Sequence, residues 1–98
     1  MRLKPEEVAA IKEAAAETFG ETAVVRLFGS RLRDSVRGGD IDLHLEVNDG
    51  QQDVSHAARF RWRVFESIDE QKMDLVFHVR GRPPRSIDNV AYNEGIIL

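Results

Sequence analysis

The run Asp40-Ile41-Asp42-Leu43, preceded by Leu27-Phe28-Gly29-Ser30-Arg31, holds the residues whose types and spacing could do chemistry. Residues two apart in a strand point the same way, so Asp40 and Asp42 project together while Ile41 and Leu43 face the other side. Two carboxylates held that close repel each other unless a cation sits between them. Hard oxygen ligands of this kind suit Mg²⁺, which is commonly bound by one or two carboxylates together with substrate phosphates. Gly29-Ser30 is placed to open a helix, whose free N–H groups and positive dipole end attract phosphate. Asp74 repeats the pattern on a later strand. If that strand pairs with the first, both apolar faces towards the same helices, three carboxylates meet beside the turn. Such a set is what two-metal in-line displacement requires: one ion activates an acceptor hydroxyl, the other neutralises the triphosphate and the departing pyrophosphate. A solvated face of a one-sided sheet also carries polar residues. The acidic pair alone fits that plainer reading; Gly29-Ser30 and Asp74 together favour a metal–nucleoside triphosphate site.

The elements that must position these residues are legible in order. Pro5 to Phe19 reads as a helix: Pro5 suits its first position, Glu6 and Glu7 its first turn, and Gly20 its stop. Val8, Ile11, Ala15 and Phe19 form its apolar stripe. Ala23 to Phe28 reads as a strand covered on both faces, hence central, with Arg26 given no role. Ser30 to Val36 suits a short helix capped by Ser30, and Gly38-Gly39 breaks it. Asp40 to Val47 alternates cleanly, with Ile41, Leu43, Leu45 and Val47 opposite Asp40, Asp42, His44 and Glu46. After the Asn48-Asp49-Gly50 turn, a second helix is expected from about 52 to 69. Val54, Ala57, Ala58, Arg61, Phe65 and Ile68 form its expected inner face, with Trp62 at the margin. Met73 to Val79 is another alternating strand, its apolar face Met73, Leu75, Phe77 and Val79. Gly81-Arg82-Pro83-Pro84 is a loop, Ser86 opens a short helix to about Asn93, and Gly95 releases Ile96-Ile97-Leu98 as a terminal strand. The expectation is a single domain over 1–98, of α/β (α+β) class, with a small mixed sheet and helices on one face.

Size and charge narrow the function classes. Ninety-eight residues allow one core. A net charge of −3 gives no global pull towards nucleic acids or anionic membranes. The absence of cysteine removes disulfides, thiolate catalysis and thiolate zinc sites. No apolar run approaches bilayer length and the first segment lacks a signal-peptide core, so the expected location is cytoplasmic.

Three further groups carry weaker signals. His44 and His78 fall on the same polar face and could touch a nucleotide or its acceptor, though a solvated strand histidine is the ordinary case. Arg80, Arg82 and Arg85 form a local basic patch that could bind phosphate or an acidic partner, though surface arginines are mostly solvated. Phe60, Trp62 and Tyr92 could stack on a base, with core or rim packing the plainer expectation.

Taken together, Leu27-Phe28-Gly29-Ser30-Arg31, Asp40-Ile41-Asp42-Leu43 and Asp74-Leu75-Val76 resemble the DNA polymerase β-like nucleotidyltransferase superfamily. The closer resemblance is to the minimal nucleotidyltransferase (MNT) domains of prokaryotes, many of them paired with HEPN-domain partners in toxin–antitoxin modules. It spans nearly the whole chain, ending at Glu94-Gly95-Ile96-Ile97. The resemblance implies a polymerase β palm-like fold, with Asp40, Asp42 and Asp74 as catalytic metal ligands for two Mg²⁺ ions. It also implies Gly29, Ser30 and Arg31 as the nucleotide-binding turn. The implied activity is transfer of AMP from ATP, or another NTP, onto a hydroxyl, with a tyrosine of a HEPN-type toxin as acceptor and an antitoxin role. Two alternatives stay open: a catalytically vestigial antitoxin that acts by binding, and a small-molecule nucleotidyltransferase. The small-molecule enzymes it resembles carry an extra domain.

Overall fold

The computed structural model describes residues 3–29 and 41–98. In chain order these form α1 (Pro5–Phe19), β1 (Val24–Phe28), β2 (Ile41–Val47), α2 (Val54–Ser67), β3 (Met73–Val79), α3 (Ser86–Glu94) and β4 (Ile96–Ile97). The expected short helix over 30–36 lies outside the described residues. Among the described residues, no helix is long and apolar enough to cross a membrane.

The four strands make one mixed sheet in the order β3-β2-β1-β4. β1 is antiparallel to both neighbours, whereas β2 and β3 run parallel. A parallel pair needs a crossover, and α2 supplies it. The alternation read from the sequence then sets the core. Ile41, Leu43, Leu45 and Val47 are fully buried on one side of β2, together with Leu27 of β1. Ile11, Ala15 and Phe19 of α1 and Phe60 and Val64 of α2 close over them.

Local chemistry explains the helix ends. The Lys4 N–H donates to Glu7 Oε1 at 2.9 Å, satisfying a backbone donor at the start of α1. At α2, Asp53 Oδ1 accepts from the His56 N–H at 2.9 Å. Gly95 matters at the end of α3 for reasons of space: a Cβ there would overlap the Ala91 carbonyl oxygen. With glycine in place the chain turns back, and the Leu98 N–H reaches Val25 O at 3.0 Å.

Two expectations change. The inner face of α2 is centred on Phe60 and Val64, while Val54 is 85% and Trp62 72% exposed. Phe60 and Val64 insert into the core with Phe65 packed beside them, and that orientation turns Val54 outwards. The helices also do not share one face. α1 and α2 cover the apolar side, but α3 lies on the other, where its Asp88 bonds His44 and its Tyr92 stacks beneath Arg26. A polar strand face can be buried when each group finds a partner, and α3 brings those partners.

Because Phe60 has no exposure, Phe60→Ala is expected to cost about 3–5 kcal/mol. Val54→Ala, by contrast, should stay within about 0.5 kcal/mol. Urea unfolding of both variants checks the rotated face.

Candidate functional site

Parallel pairing of β2 with β3 places Asp42 directly opposite Asp74. Register partners project to the same side, and adjacent strands lie about 4.8 Å apart. On its other edge Asp42 is the partner of Phe28 at the end of β1. Gly29 follows at once, with φ +79, a left-handed conformation that glycine adopts without strain. A Cβ at Gly29 would overlap Asp42 Oδ2. The turn residue is therefore a glycine on two counts, backbone angle and the carboxylate lying against it. Asp42 is half-buried and Asp74 exposed. The structure thus brings together Gly29, Asp42 and Asp74. Asp40, Ser30 and Arg31 lie outside the described residues, although the Ile41 N–H bonds Lys72 O at 3.0 Å and carries the pairing to the start of β2.

These groups fit a hard divalent cation. Carboxylate oxygens are its preferred donors, and the missing Cβ at Gly29 leaves room for the Asp42 carboxylate at the turn.

Further along the same face a buried polar layer begins. His44 has no exposed surface, and its Nε2 lies 2.8 Å from Asp88 Oδ1. The other carboxylate oxygen, Oδ2, accepts from the Arg85 N–H at 2.7 Å and from its Nε at 3.1 Å. Arg26 pairs with Glu46, and its guanidinium sits 4.6 Å from the Tyr92 ring centroid. His78 Nδ1 lies 2.5 Å from the Tyr92 hydroxyl, and Nε2 lies 2.9 Å from Arg82 O. Burial lowers the His44 pKa below its ordinary 6.5, outweighing the hydrogen bond and charge of Asp88. For Asp88, burial works to raise the pKa, but the Arg85 and His44 hydrogen bonds outweigh it and hold the carboxyl well below the usual range. Burial raises the Tyr92 pKa, with Glu46 adding to it.

The histidines are therefore not solvated strand residues. Nor are the arginines a loose patch. Arg80 donates to Thr22 O and, at 3.1 Å, to Asn48 Oδ1. Arg82 pairs with Asp49 at 2.9 Å, and Arg85 donates to Phe77 O besides Asp88. Phe60 belongs to the core, Tyr92 to the polar layer, and Trp62 stands on the surface of α2. Asp88 and Arg26 escaped the sequence reading. Two histidines on neighbouring strands of one sheet face were the available signal, since such a pair, once covered, requires partners from another element.

No protein-family model matches this chain, and no curated protein does.

Acid should act through the polar layer. His44 is depressed in the fold, so its contribution is complete above about pH 6.5 and is lost as pH falls through the folded value. Asp88 is also depressed, so its contribution is present above about pH 3.8 and is lost below that. Stability should therefore fall on acidification in two stages. Asp88→Asn should lose about 1–3 kcal/mol at pH 7 and reduce the lower stage, to which Asp53, depressed by its His56 hydrogen bonds, also contributes, as measured by urea unfolding at pH 7, 5 and 3.

Proposed function

We propose that this chain is a Mg²⁺-dependent nucleotidyltransferase that transfers AMP from ATP to a hydroxyl group. The observation that carries the reading is the register of Asp42 against Asp74, with Gly29 packed onto the Asp42 carboxylate. Asp42 and Asp74, with Asp40 beside them in sequence, would hold the ions. Bound there, Mg²⁺ supplies charge neutralisation for the triphosphate and a lowered pKa for the acceptor hydroxyl.

The remaining work falls to the protein. The backbone at Gly29 orients the phosphates, because no side chain stands between the turn and Asp42. Asp74 is exposed, which leaves it accessible to an incoming hydroxyl and able to receive its proton. The acceptor oxygen bonds to the α-phosphorus, the bond from that phosphorus to the bridging oxygen breaks, and pyrophosphate leaves. α3 covers His44, so the acceptor must approach from the Asp74 end of the face.

Asp74 is exposed at the start of β3, which lets a macromolecular acceptor present its hydroxyl from outside. The resemblance to minimal nucleotidyltransferases supplies the candidate, a tyrosine on a HEPN-type toxin. One observation favours the binding-only alternative: Trp62 is 72% exposed beside Ala58 and Phe65 on α2, a surface suited to a partner regardless of chemistry.

Incubation with α-labelled ATP, Mg²⁺ and a HEPN-type partner should label the partner. Asp42→Asn and Asp74→Asn should each reduce labelling by about a hundredfold or more. Undiminished labelling by Asp42→Asn would remove the site. Silencing of the partner without labelling by any form would establish the binding-only reading.

A further inference from the structure

A second metal-binding constellation lies on the same sheet face, away from Asp74. His44 of β2, His78 of β3 and Asp88 of α3 each offer one ligand atom, and these atoms all lie within 4.8 Å of one another. We infer that these three residues form a binding site for a borderline transition-metal ion, Zn²⁺ in the first instance, which fastens α3 to the sheet.

The donor set decides the class of ion. Two imidazoles and one carboxylate suit zinc, whereas Mg²⁺ and Ca²⁺ take oxygen ligands. The ligand atoms of a tetrahedral zinc lie about 3.4 Å apart. His44 Nε2 and Asp88 Oδ1, now 2.8 Å apart, must open slightly while the wider spacings, up to 4.8 Å, close, shifts near an ångström that side-chain rotation can supply.

The surrounding hydrogen bonds already orient the ligands. A backbone carbonyl can only accept, so the His78 Nε2 at 2.9 Å from Arg82 O carries the proton. That leaves the Nδ1 lone pair as the ligating atom, now facing the Tyr92 hydroxyl at 2.5 Å. Donation of the second ring N–H to a backbone carbonyl is the usual support of a metal-bound histidine. The Asp88 carboxylate is divided in a similar way. Oδ2 is held by the Arg85 N–H and Nε, while Oδ1 faces His44. Arg85 also reaches Oδ1 at 3.2 Å, and this contact must loosen when the ion binds.

His44 is the third ligand. It has no exposed surface, and its Nδ1 has no hydrogen-bond partner among the described residues. In the metal-free protein the Asp88 carboxylate can only accept, so Nε2 carries the proton; the ion takes the place of that hydrogen bond, the ring proton moves to Nδ1, and a bare Nε2 faces the metal. In the metal-free protein Tyr92 competes for the His78 lone pair, so removing its hydroxyl favours the ion.

The test uses the full chain without a polyhistidine tag, stripped with chelator and titrated with ZnCl₂ by calorimetry and thermal unfolding. One equivalent should bind and raise Tm. His78 is only partly buried, so His78→Asn should fold while weakening Zn²⁺ affinity at least about tenfold. Tyr92→Phe should bind as tightly or more tightly. The double variant Asp42→Asn, Asp74→Asn should keep the full zinc response, which separates this site from the proposed Mg²⁺ site whether or not that one exists. Absence of zinc binding would overturn the inference. So would binding unchanged by His78→Asn, or binding abolished by the Asp42, Asp74 double variant.

Discussion

The parallel pairing of β2 with β3 is the constraint on which the other arrangements depend. It sets Asp42 opposite Asp74 and Glu46 opposite His78 in a single register. Side chains alternate with a period of two, so a slip of one residue would send the carboxylates into the apolar layer and expose Leu43 and Leu45. Burial of those two leucines, neither with any exposed surface, holds the carboxylates in place. The core and the candidate site are two faces of one pairing.

Along that face the environment changes abruptly within a few residues. Asp42 and Asp74 stand at a rim open to solvent and bounded by the Gly29 turn. His44, two residues further on, is sealed beneath α3 among Asp88, Tyr92 and Arg26. The rim suits charged ligands that come and go. The sealed layer suits polar groups that satisfy one another, since an unpaired buried charge is costly. Both use the same alternation of strand side chains, and among the described residues α3 distinguishes them.

Much of this was legible in the sequence. α1 and β3 have the limits that periodicity and capping residues gave them, Pro5–Phe19 and Met73–Val79. The mixed sheet follows from helices alternating with strands. Asp42, Asp74 and Gly29 were readable because they lie in short patterns whose spacing has a direct geometric meaning. The inner face of α2 was not, because two apolar stripes at helical spacing, one through Phe60 and Val64 and one through Phe65 and Ile68, lie side by side, and only packing against the sheet sets which is central. The position of α3 was harder still. His44 and Glu46 look like a solvated face, and Asp88 and Tyr92, some 40 residues away in sequence, convert it into an interior. Long-range polar pairing of that kind leaves no periodic trace.

Arg85 has one more consequence, for the outer border of the sheet. Its guanidinium donates to Phe77 O on β3, a strand whose other neighbour in the sheet is β2. An exposed row of carbonyls is a template for another chain to dock against, and a basic side chain laid over it blunts that template. The opposite border is β4, two residues long, with Ile97 61% exposed and no such guard among the described residues. The two margins of the sheet thus differ in character: one is shuttered by a cation, while the other ends in a brief apolar selvedge.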